Sequence, residues 1–298
     1  MDPMLATPGP LPAGPEWYYE VKWDGMRLLA DLSAERGLRL TSRTGRDVTA
    51  HFPELAELAA LAPDVLLDGE VVQMVGGRPS FAALSERFHR VPTPAEVAAG
   101  PVVYMVFDML RLYGVPLLSR TQQERRDTLD RLAFDELVRV LLSPAYEDGG
   151  ALLAATERQG LEGVVAKRRD AIYRPGQRTR SWVKVAHRRT QDCLVGGWRT
   201  EKDHPSRIGA LLLGVPGDDG LKFAGRVGSG VAGDAMQRAL RTALVDRAES
   251  PFTEPLPKLD ATGARWCEPT VTVEISHTGW TDGHRLRHPV LQRLRLDL

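Results

Sequence analysis

The run VVYMVFDML, residues 102–110, constrains this chain more than any other segment. It is almost continuously apolar, and it is too short to cross a membrane as a helix. Its Val, Tyr and Phe content favours a strand. A strand apolar on both faces needs neighbours on either side and cover above and below. The flanking sequence supplies candidates. WYYEVKWDGMRLLADL, residues 17–32, reads as a strand, a turn at Asp24-Gly25 and a second strand. LRLTSR is a short strand before a turn at Thr44-Gly45, and VLLDGEVVQMV reads as two strand halves around Asp68-Gly69, closed by Gly76-Gly77. EGVVAK and SWVKVA add two more strands. Helical spacing appears in HFPELAELAALAP, which Pro63 ends, and in SFAALSERFHRV. TQQERRDTLDRLA reads as an exposed helix capped by Thr121. Strands and helices alternate irregularly, which points to an α+β domain with antiparallel sheets.

After about residue 190 the texture changes. DCLVGGW, GALLLGV, LKFAGRVGS and PTVTVEISH are short strands, with one helix, AGDAMQRALRTALVDRA, between the third and fourth. Strands plus one helix in about a hundred residues fit an OB-fold barrel. The chain has 298 residues, enough for two domains, and 43% apolar residues, enough for two cores. The expected division is 1–187 and 188–298. MDPMLATPGPLPAG lacks the basic start and apolar core of a signal peptide. Cys193 and Cys267 form no metal pattern and read as reduced core thiols. A cytoplasmic, nucleoid-associated monomer with no membrane contact is the expectation.

Formal net charge is zero, so composition alone does not indicate nucleic acid. The charge is nevertheless uneven. From Lys167 to Arg189 the chain holds nine Lys or Arg against one acid, Asp170, with Tyr173 and Trp182 interleaved. Such runs are usually solvated faces, but a basic loop with aromatics also suits a phosphate backbone. Lysine itself is scarce: six of the 39 basic residues are Lys. A chain that favours Arg this strongly, yet keeps Lys22 in YEVKWDGMRL, points to a need for an amine. Arg stays charged, whereas Lys can lose its proton and attack an electrophile.

A lone Lys-x-Asp-Gly match is weak, and an exposed lysine at a hairpin turn is its bland reading. Ordered company changes that. After Lys22 come SRTGRD at 42–47, LDGE at 67–70, VFDML at 106–110, EGVVAK at 162–167, SWVKV at 181–185 and WTDGHRLRHPV at 280–290. The series resembles the covalent nucleotidyltransferases, most closely the bacterial ATP-dependent DNA ligases of the ligase C and ligase D type, over nearly the whole chain. The resemblance implies an adenylation domain followed by an OB-fold that binds DNA and swings over the nucleotide, with HRRTQ, residues 187–191, as hinge. It implies that Lys22 attacks ATP to form Lys-AMP, and that Lys167 and Lys184 hold the α-phosphate. Phe107 would stack on adenine and Glu20 would help define its pocket. Arg27 and Arg43 would contact the sugar and the nick phosphate. Glu70 would touch the ribose or a metal, and Glu162 the metal, Mg²⁺ or Mn²⁺. Arg43, Arg168, Arg169, Arg174, Arg178, Arg180, Arg188 and Arg189 are the expected DNA contacts. The implied substrate is nicked or broken duplex DNA under repair, with a Ku-like end-binding protein and a repair polymerase as partners.

Three positions depart from the family pattern. Ala186 stands where the WxKxK strand carries its second lysine, Leu291 replaces an aromatic residue and Leu298 replaces a terminal lysine. A slow adenylation step is one implication, unless Arg188, Arg293 and Arg295 compensate. Two alternatives stay open: a degenerate ligase-like module that only binds DNA ends, and an RNA ligase or RNA-capping enzyme.

Overall fold

The computed structural model describes residues 1–295 other than Asp203 and Asp282. Leu298 therefore lies outside the described residues. The chain divides into two compact units, Met1–His187 and Arg188–Leu298.

The first unit is α+β and holds two sheets. One is five-stranded, in the order Leu5–Pro8, Arg178–Ala186, Gly163–Arg168, Trp17–Val21, Ala145–Tyr146. The other runs Gly37–Ser42, Met26–Ser33, Val65–Val75, Val102–Leu112, Val115–Pro116, with Arg78–Pro79 and Val140–Leu142 at its margins. Val102–Leu112 pairs on both sides, as an apolar strand must. The sheets are mixed rather than purely antiparallel. Leu5–Pro8 runs parallel to Arg178–Ala186, and Val140–Leu142 parallel to Val102–Leu112. Each comes from a distant stretch of chain, so no hairpin forces it to run antiparallel.

Several elements differ from their sequence reading. VLLDGEVVQMV is one continuous strand, not two halves at a turn. Asp68 is fully buried, and Gly69 is there for close approach: a Cβ would lie 2.6 Å from the Tyr104 ring. Pro53–Ala60 is a 3₁₀ helix, and SFAALSERFHRV shortens to Phe81–Ser85 plus a 3₁₀ turn, Glu86–Phe88. Two helices went unread, Pro94–Ala99 and Gly149–Arg158, the latter capped by the Asp148 side chain. Thr121 does cap the helix Gln122–Leu129, in a full capping box with Glu124, but that helix is not exposed.

The second unit is a coiled sheet of seven strands. Arg189–Glu201 is its spine, pairing with His204–Gly217, Ala264–Cys267 and Thr272–His277. Gly220–Val227 flanks one side, Val290–Arg295 the other, and Asp246–Arg247 adds a short edge. A register shift across Gly196 lets the long strand bend. Hydrogen bonds from Leu291 N–H to Ser229 O (2.9 Å) and Leu286 N–H to Ala224 O (2.8 Å) tie the last segment back to the Gly220–Val227 side. The result is an OB-type barrel, with three strands beyond the four read from sequence. The expected helix is Asp234–Ala243, joined by a one-turn helix, Lys258–Ala261. Cys193 and Cys267 are free, buried thiols, each pushed up to about 12 by burial. Among the described residues no helix is long and apolar enough to cross a membrane.

Candidate active site

Alternation along three neighbouring strands puts the chemistry on one face. Val165 stands opposite Glu20 on one side and Lys184 on the other, and Lys167 stands opposite Tyr18 and Trp182. Partners across a ladder, and residues two apart along a strand, share a face. Glu20, Val165, Lys167, Trp182 and Lys184 therefore point the same way. Lys22 follows directly on Trp17–Val21, and its N–H donates to Gly163 O at 2.9 Å. Gly163 has φ +141°, and a Cβ would lie 2.1 Å from the Val185 carbonyl oxygen. Glycine alone lets the chain enter the strand here, which leaves Glu162 beside Lys22. The Lys22 ammonium and the Glu162 carboxylate form an ion pair, each side chain about one-fifth exposed (20% and 21%).

The second sheet supplies the opposing residues. Arg27 and Glu70 are direct ladder partners, and the Arg27 guanidinium reaches diagonally to Asp68 in a two-point contact of 2.9 and 2.6 Å. Tyr173 donates its hydroxyl to the same Asp68 carboxylate at 2.7 Å. The ladder between Val65–Val75 and Val102–Leu112 pairs Asp68 with Asp108 and Gly69 with Val106, so Phe107 is the extra residue of a bulge. A bulge re-aims its side chain and frees backbone groups. The Phe107 ring turns into the cleft, edge-on to Trp182 at 5.9 Å, and its carbonyl accepts from Lys167 Nζ at 2.8 Å.

Most of these residues, though not Glu162, Asp68 or Tyr173, line a cleft of about 580 Å³ with two unlike ends. The inner end is walled by Phe107, Trp182 and Val165, with Glu20 and Lys167 at its base. The outer end carries Lys22, Lys184, Arg43, Arg46 and Arg178. Burial, then Lys22 and Arg178, hold the Lys184 amine below its usual range. Burial pushes the Glu70 carboxyl up to about 8, against the pull of Lys22 and Arg27 and with the help of nearby Glu162. At the base, burial pushes Glu20 up and Lys167 down, and their contact opposes both shifts.

The cleft gathers most of the residues singled out by sequence: Glu20, Lys22, Arg27, Arg43, Glu70, Phe107, Lys167, Lys184 and Arg178. Lys167 does not join the outer cations. It is 1% exposed and binds both Glu20 oxygens at 3.0 Å. Of the basic run, Arg168 pairs with Asp170, and Arg169 is tied to Glu147, Gln123 and the Pro15 carbonyl. Arg178 donates to the Ala6 carbonyl. Arg174, Arg180, Arg188 and Arg189 are exposed. Ala186 pairs with Gly163 at the end of its strand, two residues past Lys184. Leu291 is a core residue of the barrel. Arg293 and Arg295 are engaged by Glu274 and Asp192 of their own unit, so they do not stand free to replace a missing lysine. Sequence reading missed Trp182 and Asp68 as site residues. Trp182 lies two positions before Lys184 in a strand, which was the available signal; Asp68 was hidden in an apparent turn.

Among the described residues no group of three or more His, Cys, Asp or Glu is placed to hold a metal ion. Glu162, paired with Lys22, and Glu70, close enough to feel the charges of both, nevertheless offer hard carboxylate oxygens. That donor set fits Mg²⁺, which takes one or two protein carboxylates together with substrate phosphates and water.

Residues 3–186 match the model of the ATP dependent DNA ligase domain, and residues 204–298 that of the ATP dependent DNA ligase C terminal region. The chain is 41% identical, over 99% of its length, to the multifunctional non-homologous end joining protein LigD of Mycobacterium bovis, of which it spans 38%. It is 34% identical to DNA ligase C1 of Mycolicibacterium smegmatis, covering 97% of this chain and 88% of that one. The solved structure of mycobacterial DNA ligase D complexed with ATP and MES is similar over 100% of this chain and 95% of that one, at 38% identity and a TM-score of 0.58. Two matched domains in order, with a cleft whose one end suits a base and the other its phosphates, leave one conclusion: the chain belongs to the ATP-dependent DNA ligase family.

Proposed function

We propose that this ligase seals breaks in duplex DNA through a Lys22–AMP intermediate, and that it serves in DNA end joining. The observation that carries the chemistry is the placement of Lys22, ion-paired with Glu162, at the cationic end of a cleft whose other end is aromatic. A nucleotide bound base-inward lays its α-phosphate beside that amine.

Lys22 must attack as a neutral amine. Glu162, ion-paired with the ammonium, orients the side chain, and the proton passes to solvent before attack. The new N–P bond forms on the α-phosphorus as the bridging bond to the β-phosphate breaks, and pyrophosphate leaves with the electron pair. Lys184, Arg43 and Arg178 offset charge at the mouth. Next, an oxygen of the DNA 5′-phosphate attacks the same phosphorus, the N–P bond breaks and Lys22 recovers its proton. The 3′-hydroxyl then attacks the 5′-phosphate, a phosphodiester forms and AMP leaves. Glu70 and Glu162 would hold Mg²⁺, which when bound polarises phosphate oxygens and neutralises their charge. Arg27, fixed by Asp68, is positioned for the sugar.

The role in end joining is supported by the likeness to LigD over 99% of this chain. A Ku-like end-binding protein and a repair polymerase are the proposed partners, and the exposed arginines the proposed DNA contacts. The test is covalent labelling of the protein by α-labelled ATP with Mg²⁺, read after denaturation at alkaline pH, where a phosphoramidate survives. Wild type takes the label and Lys22→Ala does not, while its thermal unfolding stays unchanged. Full labelling of the variant removes Lys22 from its role. Label from GTP but not ATP would favour an RNA-capping chemistry instead.

A further inference from the structure

Lys167 is the one cleft lysine that faces away from the mouth. Its ammonium binds both Glu20 carboxylate oxygens at 3.0 Å and the Phe107 carbonyl at 2.8 Å. It also lies 4.4 Å from the Phe107 ring centre and 4.6 Å from that of Trp182. All three of its donors are consumed within the base end of the cleft. Glu20 is 2% exposed, with Arg126 as a second cation at 3.6 Å.

We propose that Lys167 is a positioning residue for base selection: it clamps Glu20 as a fixed, acceptor-only edge that admits adenine and rejects guanine. The inference rests on the ligase reading of the cleft. The 6-position of adenine carries an amino group, a donor; that of guanine carries a carbonyl, an acceptor. An ionised carboxylate can only accept, so it complements the first and repels the second. Glu20 keeps that property only while it is ionised and held still. Its surroundings divide. Lys167 and Arg126 favour the charge, whereas burial and Asp108, from the strand Val102–Leu112, oppose it. Removing the nearest cation lets Glu20 take up a proton or turn, and either change presents guanine with a donor or an unguarded pocket. A phosphate-binding lysine would behave differently, because both nucleotides carry the same triphosphate.

The test compares wild type, Lys167→Met and Lys184→Met in single-turnover labelling over a range of ATP and GTP concentrations. Lys167→Met should lower the ATP-over-GTP preference by at least about ten-fold, mainly through weaker apparent ATP binding rather than a slower rate at saturation. Lys184→Met should slow both nucleotides alike. An unchanged preference in Lys167→Met, with equal losses for both nucleotides, overturns the inference and returns Lys167 to the phosphates. If Lys167→Met does not fold, Glu20→Gln carries the same test. Its amide can turn a donor toward guanine, so its preference should also fall, and a preference as strong as wild type's overturns the proposal. A wild-type protein that takes no label from ATP would sink the ligase reading itself, a result separate from any change in preference.

Discussion

Glu70 shows how a residue can serve chemistry at the expense of stability. An unfolded glutamate ionises near 4.5, whereas burial in the cleft raises Glu70 to about 8. Between those values the unfolded chain gives up a proton that the folded chain keeps. Stability therefore falls as pH rises through this window, and the full penalty is present above the folded value. Each tenfold difference in proton affinity between the folded and unfolded chain is worth at most ~1.4 kcal/mol, and relaxation of a partly open cleft reduces the total to roughly 2–4 kcal/mol. Glu70→Gln removes the titrating group. Its unfolding midpoint should match wild type near pH 4.5 and exceed it increasingly up to pH 8, as read by thermal melts across that range. Its labelling by ATP should fall sharply, because a neutral amide is a poor Mg²⁺ ligand. A stability gap that is constant with pH would show that Glu70 is not held neutral in the fold.

The helix Gln122–Leu129 makes the matching point for an element. Its buried positions are Gln122, Arg125, Arg126 and Leu129, spaced i, i+3, i+4, i+7. The stripe is helical, but three of its four members are polar, so composition hid a buried face. Arg125 is fully buried and makes a two-point contact of 2.7 and 2.8 Å with fully buried Asp108. It also donates to Gln122 Oε1, which accepts from Trp182 Nε1 at 2.8 Å. The helix thus braces a wall of the base pocket. Arg125→Met strands the Asp108 charge and should cost about 3–5 kcal/mol. Arg168→Ala, which opens an exposed pair, should cost under about 1 kcal/mol. Urea midpoints decide between these magnitudes, and equal small losses would refute the bracing role. The same contrast shows what sequence reveals. Strands with apolar alternation, and site residues two apart in them, were legible because period and polarity agreed. The buried helix, the unbroken strand through Asp68-Gly69 and the bulge at Phe107 were not, since long-range partners override local propensity there.

At the scale of the whole molecule, formal net charge is zero, so the proposed attraction to DNA must come from local clusters. Ion pairs within the fold sort these clusters. Arg168 and Arg169 are already paired with Asp170 and Glu147. Arg174 and Arg180 are exposed and, among the described residues, pair with no acid. A cation that neutralises a phosphate releases a counterion, and each such contact adds close to one unit to the salt slope. Arginines committed to internal acids contribute less, because binding DNA must first break a pair. Arg174→Ala and Arg180→Ala should each weaken nicked-duplex binding and reduce the slope of log affinity against log salt by about one. Arg168→Ala should change that slope by clearly less. Because phosphate contacts carry no base information, the weakening should be the same for duplexes of unrelated sequence. Fluorescence anisotropy from about 50 to 200 mM salt measures all of this. A slope untouched by Arg174→Ala and Arg180→Ala would move the DNA surface away from this segment, whatever the affinity of the wild-type protein.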